Sequence, residues 1–103
     1  MVRVDWSKPA LTDLREVYEF IARDSRRYAR ATVEKITGAT APLAQWPKVG
    51  EVIHLFPVYR EIIVGNYRLI YREEEPSQRV LIIAVIHASR DLPSILEVRA
   101  DKP

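Results

Sequence analysis

Apolar residues recur at three- and four-residue steps in the first half of the chain and at alternate positions in the second, which predicts helices followed by strands. A short strand comes first, because Val2-Arg3-Val4-Asp5-Trp6 alternates apolar and polar side chains. Ser7 is a good N-cap, and Pro9 falls in the first helical turn, where its missing N–H costs nothing. Leu11, Leu14, Tyr18 and Ile21, flanked by Ala10, Val17 and Ala22, then mark the apolar face of an amphipathic helix; Asp13, Arg15, Glu16, Glu19 and Arg23 mark the wet one. Asp24-Ser25 is a break with capping chemistry. A second helix follows on Ala29, Val33, Ile36 and Ala39, with Tyr28 and the methyl of Thr32 alongside. Two helices joined so tightly are expected to pack as an antiparallel hairpin. Pro42 should end or kink the second helix, Leu43 and Trp46 extend its apolar face, and Pro47-Lys48-Val49-Gly50 reads as a turn.

In the second half, Tyr59–Val64 and Tyr67–Arg72 are β-rich runs separated by Gly65-Asn66, a two-residue loop suited to a type II′ hairpin. That loop sets Val64 opposite Tyr67, Ile62 opposite Leu69 and Arg60 opposite Tyr71 on one face. The other face pairs Ile63 with Arg68, Glu61 with Ile70 and Tyr59 with Arg72, and reads as mixed and partly wet. After the acidic loop Glu73-Glu74-Glu75-Pro76-Ser77, the unbroken apolar run Val80–Ile86 predicts a strand covered on both faces and central in its sheet. A short helix over Leu92–Val98, within a fraying tail from Ala88 to Pro103, completes the pattern. The expected fold is α+β: a leading strand, an antiparallel helical hairpin packed on an antiparallel β-meander, and a short C-terminal helix or tail.

Length and composition narrow the picture. A chain of 103 residues with 48% hydrophobic and 29% charged side chains is sized and balanced for one globular domain spanning 1–103. The absence of cysteine removes disulfides and thiolate metal sites, and fits a cytoplasmic protein. The N-terminus lacks the apolar core of a signal peptide, and the longest apolar run is far short of the roughly 20 residues of a membrane helix. A net charge of +2 does not by itself argue for nucleic-acid binding.

His54 and His87 stand far apart with no carboxylate at ligand spacing, so no metal site is expected. Gly38, Gly50 and Gly65 are isolated, which excludes a phosphate loop. The serines show no local nucleophile signature. Arg23, Arg26, Arg27 and Arg30 gather at the helix–helix corner, either as a solvated face or as a dock for an acidic partner. A second set, Arg60, Arg68, His87, Arg90 and Asp91, lies on neighbouring strands and where the last strand ends. Arg60 and Arg68 point to opposite faces in the expected register, so one site does not readily use both. The structural alternative has Arg60 stacked on Tyr71, Arg90 paired with Asp91 or the C-terminus, and His87 simply hydrogen-bonded.

The run Tyr59-Arg60-Glu61-Ile62-Ile63-Val64-Gly65-Asn66-Tyr67-Arg68-Leu69-Ile70-Tyr71-Arg72 resembles the signature hairpin of the ParE/RelE toxin superfamily. Val85-Ile86-His87-Ala88-Ser89-Arg90-Asp91 resembles the V-x-H-x-x-R-D that ends the last core strand of its ParE branch, and Leu43–Gly50 resembles its L-x-x-x-P-x-x-G. The ordered set covers nearly the whole chain.

The resemblance implies the toxin of a type II toxin–antitoxin module, acting in the cytoplasm as a hetero-oligomer with a ParD-like antitoxin. RelE-like members cut mRNA with lysines, arginines and often a C-terminal tyrosine. Here no lysine lies between Lys48 and Lys102, and no tyrosine follows Tyr71. ParE-like members inhibit DNA gyrase by binding and need no catalytic residues, cofactor or metal. The ParE branch is therefore favoured, with Arg60, Arg68, His87, Arg90 and Asp91 as target-binding residues and no sequence-specific nucleic-acid binding by the toxin alone. On the ribonuclease alternative Arg68, His87 and Arg90 would be catalytic. The antitoxin is expected in a groove between hairpin and sheet, with Leu14, Tyr18 or Trp46 at its margin.

Overall fold

The computed structural model describes residues 1–99; residues 100–103, the end of the expected fraying tail, lie outside the described residues. Strand β1 (Arg3–Trp6) leads into α1 (Lys8–Ala22) and α2 (Arg26–Gly38), then a 3-10 turn at Ala41–Ala44. Strands β2 (Glu51–Ile53), β3 (Phe56–Val64), β4 (Tyr67–Glu74) and β5 (Arg79–His87) follow, and α3 (Leu92–Arg99) ends the described chain.

Both helices of the hairpin start where the capping residues stand. Ser7 Oγ accepts the Ala10 N–H, with Pro9 in the first turn, and Ser25 Oγ accepts the Tyr28 N–H. The buried line of α1 runs through Ala10 and Val17, with Leu14 and Ile21 packed beside them. The face is thus rotated from the expected one: Tyr18 sits at its edge, and Leu11 is 48% exposed. Pro42 does not kink α2, which has already ended at Gly38; the proline opens the 3-10 turn instead and sets Leu43 fully inside.

The sheet order is β1-β5-β4-β3-β2. The β3–β4 hairpin has the expected register, from Arg60 opposite Tyr71 to Val64 opposite Tyr67. Gly65 at its turn takes φ +60°, the left-handed value that the first loop position of a type II′ turn demands. Every residue from Val80 to Ile86 is buried, since β5 lies between β1 and β4 with helices over both faces.

Two features depart from the meander expected. Strand β1 pairs with β5 in parallel, Trp6 beside Ile82, so the sheet is mixed; the long connection that a parallel pair requires runs through the helical hairpin and strands β2 to β4. The second sheet face is not wet throughout. Tyr59, Ile70, Leu81, Ile83, Ala84 and Ile86 form a second core under Leu92 and Leu96 of α3.

Candidate functional site

Strand β1 ends at Trp6, four residues into its pairing with β5, so the last residues of β5 have no strand on that side. Side chains take its place. Asp13 Oδ2 accepts the Val85 N–H at 2.9 Å, and Arg99 from α3 donates to the Ile83 carbonyl at 3.0 Å. Arg99 also grips Asp13 with both arms, Nη2 lying 2.8 Å from Oδ1. This hydrogen-bonded carboxylate holds the Arg99 guanidinium charged, its pKa raised above the ordinary arginine value. Asp13, assigned to the wet face by its sequence position, is therefore the joint between α1, β5 and α3.

Beside this joint opens a cleft of about 720 Å³. Its walls are one flank of α1 (Glu16, Val17, Glu19, Phe20, Arg23), the end of β5 (Val85–His87), the following loop (Ser89, Arg90), and Ile95 and Arg99 of α3. Phe20 is 65% exposed on this wall. Its one signal in the sequence is a phenylalanine on the polar side of an amphipathic helix. Tyr67, opposite His87 on the neighbouring strand, sets its ring edge-on to the imidazole with centroids 5.4 Å apart. Burial raises the Tyr67 phenol above its usual range, so it stays a protonated donor at neutral pH.

His87 Nδ1 accepts the Ser89 backbone N–H at 3.1 Å and meets Ser89 Oγ at 2.8 Å. Both contacts hold the ring against the Ser89 turn and leave its Nε2 edge free of them. Arg90 is exposed on the same wall.

The structure brings together only part of the expected set. His87 and Arg90 share the cleft. Arg68 lies opposite Ile86 on the other sheet face and pairs with Glu61 at 3.6 Å. Asp91 accepts the Ser94 hydroxyl at the start of α3. Arg60 sits at the far end of the hairpin, where it donates to the carbonyls of Gly50 (2.8 Å) and Lys48 (3.2 Å) rather than stacking on Tyr71. Tyr71 completes that end: its hydroxyl donates to Pro47 O at 2.7 Å and accepts the Gly50 N–H at 2.8 Å. Two pieces of the sequence signature, the hairpin and the Leu43–Gly50 turn, thus meet in a structural knot. Of the residues expected at an antitoxin groove, Leu14 packs into the first core, Tyr18 is half-buried and Trp46 is 58% exposed beyond the 3-10 turn; none lines the cleft. Among the described residues no cluster of histidine and carboxylate ligands could hold a metal, and no helix is long and apolar enough to cross a membrane.

No curated protein sequence matches the chain. Among solved structures it is similar to the chromosomal ParDE toxin–antitoxin system of Pseudomonas aeruginosa, with TM-score 0.73 and 18% identity over 84% of this chain and 96% of that one. It is similar also to the RelBE2 toxin–antitoxin complex of Mycobacterium tuberculosis, with TM-score 0.60 and 26% identity over 84% and 96%. A free mutant of the Escherichia coli toxin RelE gives TM-score 0.67 and 19% identity over 98% and 95%. The family model for the ParE toxin of the type II toxin–antitoxin system parDE matches residues 4–92, from within β1 to the first residue of α3. The chain belongs to that family of ParE toxins.

Proposed function

We propose that this toxin acts in the cytoplasm by binding DNA gyrase, and that a ParD-like antitoxin silences it by binding first. The observation that carries the binding reading over RNA cleavage is the charge around His87. A nuclease must gather cations where phosphate charge develops. Here the cleft sets Glu16 and Glu19 against Arg23 and Arg90, while Arg99 is spent on Asp13 and Arg68 faces the other side of the sheet. Such a balanced wall suits a protein surface with opposite charges at its rim better than a polyanion.

The target-binding surface on this reading is the end of β5 with His87 and Arg90, flanked by Asp91 at the start of α3. Arg68 contributes from the opposite face, and Arg60 supports the hairpin from within. The antitoxin would be an amphipathic segment that folds as it docks along α1, with Tyr18 and Leu14 beside its path and Trp46 at the farther end. Structural neighbours that are themselves toxin–antitoxin complexes support such a partner.

His87→Ala separates the two chemistries. On a binding surface, contacts are shared and most single truncations cost little, so growth arrest by the variant should persist within a few-fold of the wild type. Losing a general acid/base would cost about 10²–10⁴-fold in rate. Abolished arrest by a folded, antitoxin-competent His87→Ala chain would overturn the gyrase reading.

A further inference from the structure

We propose that the corner between α1 and α2 is a phosphate-binding surface that holds the backbone of duplex DNA without reading its sequence. The proposal goes beyond the gyrase reading and does not depend on it. Arg23 follows the last residue of α1, and Arg26, Arg27 and Arg30 occupy the start of α2; all four are exposed. With Asp24 as the one acid among residues 23–30, this stretch carries +3, more than the +2 of the whole chain, so the remainder is slightly acidic.

None of these four arginines, nor Arg15 or Arg90, forms an ion pair with a described carboxylate, whereas Arg3, Arg60, Arg68, Arg72, Arg79 and Arg99 all do. Proximity in sequence is not lacking: Glu19 and Glu34 stand four residues from Arg23 and Arg30 on the same helical stretches. For Arg26, Arg27 and Arg30 the position is also electrostatically poor. A helix N-terminus carries partial positive charge, and α2 has no acid in its first turn to offset it. Cations kept off their carboxylates, where the helix itself disfavours them, have their charge free for a ligand.

The shape of the corner selects the ligand. Arg26, Arg27 and Arg30 stand exposed at the start of α2, outside the cleft beside His87. A duplex backbone needs no groove. It presents one charge per roughly 1.7 Å of axis, and the four-residue step from Arg26 to Arg30 spans about 6 Å of helix, comparable to the step between neighbouring phosphates. The planar guanidinium fork matches phosphate oxygens. Arg23 is already oriented, its guanidinium held 5.6 Å over the Phe20 ring.

Fluorescence anisotropy of a labelled duplex, titrated with the intact chain at several salt concentrations, tests this. Four phosphate contacts predict a slope of log K against log salt near −3.6, roughly 100-fold weaker binding for a four-fold rise in salt. A scrambled duplex should bind equally. The variant R26Q/R27Q/R30Q, which alters exposed side chains only, should keep its circular dichroism and thermal midpoint while the slope falls to about −0.9. An unchanged slope in that variant would overturn the proposal, as would failure of the wild type to bind at low salt. Polyglutamate that binds more tightly than DNA, with the same dependence on these arginines, would overturn it in favour of an acidic protein partner. Gyrase inhibition enters none of these outcomes, so failure here leaves the gyrase reading intact.

Discussion

A Cβ placed on Gly50 would lie 2.6 Å from the Tyr71 hydroxyl and 2.7 Å from its ring. The ring cannot retreat, because Tyr71 is fully buried and its hydroxyl is bonded on both sides, to Pro47 O and the Gly50 N–H. Gly50→Ala should therefore destabilise the fold by about 1–3 kcal/mol through overpacking. Tyr71→Phe should cost a similar ~1–3 kcal/mol by leaving a buried donor and acceptor unpaired. Thermal unfolding of the two single variants and the double one checks this. The pair shares one contact, so the double variant should lose less than the sum; strict additivity would contradict the knot.

A second prediction at this scale concerns acid. The Arg79 hydrogen bond holds the Glu74 carboxyl below its ordinary value of 4.5, and hydrogen bonds from Arg3 and Arg79 lower Asp5 from 3.8. Folded-state values below the unfolded ones mean stability that is present above about pH 4.5 and lost as pH falls through the depressed values. Glu74→Gln should flatten that acid limb of the unfolding midpoint. An acid limb identical to the wild type would show that this network is not its source.

At the scale of elements, α3 carries the largest revision. The sequence pattern reads this stretch as a short helix within a fraying tail. Instead Leu92 and Leu96 close the second core, and Arg99 clamps Asp13 and the Ile83 carbonyl. Deleting the chain from Asp91 should therefore unfold the second core, and lost toxicity in that truncation would say nothing about a target surface. Leu96→Ala should cost about 2–5 kcal/mol. Arg99→Gln should cost about 1–3 kcal/mol by stripping partners from the part-buried Asp13. A Leu96→Ala chain that unfolds at the wild-type midpoint would sink this account of α3.

The reason α3 was hard to foresee is physical. The face it covers alternates Tyr59 and Ile70 with Glu61, Arg68 and Arg72, so it reads as half-wet, and α3 itself buries only Leu92 and Leu96, a stripe too narrow to announce a core. Strand β2 was missed for a like reason: it is three residues long, with only Ile53 buried. The β3–β4 register, by contrast, was legible from Gly65-Asn66 and the alternation around it, and β5 from its seven consecutive apolar residues.

For the whole molecule, the superfamily could be read from the sequence because its signature is spread over the hairpin, the end of β5 and the Leu43–Gly50 turn. The site could not. Its cleft depends on β1 stopping at Trp6 and on Asp13 and Arg99 meeting across 86 positions of sequence, and neither fact has a local pattern. The same geometry argues for a toxin that binds its target: Glu16 and Glu19 stand with Arg23 and Arg90 in the cleft, and arginines of the hairpin are committed to Glu61, Glu73 and backbone carbonyls. Antitoxin docking along α1 predicts that the chain co-purifies with the product of a short neighbouring reading frame, which relieves its growth arrest. Free expression without toxicity, and no binding to that product, would contradict it.

The most direct measurement is supercoiling by purified gyrase titrated with the intact toxin, beside cleavage of mRNA on translating ribosomes at the same concentrations. The account predicts inhibited supercoiling, reversed by the antitoxin, with mRNA left whole. Cleaved mRNA with supercoiling unimpaired would contradict it.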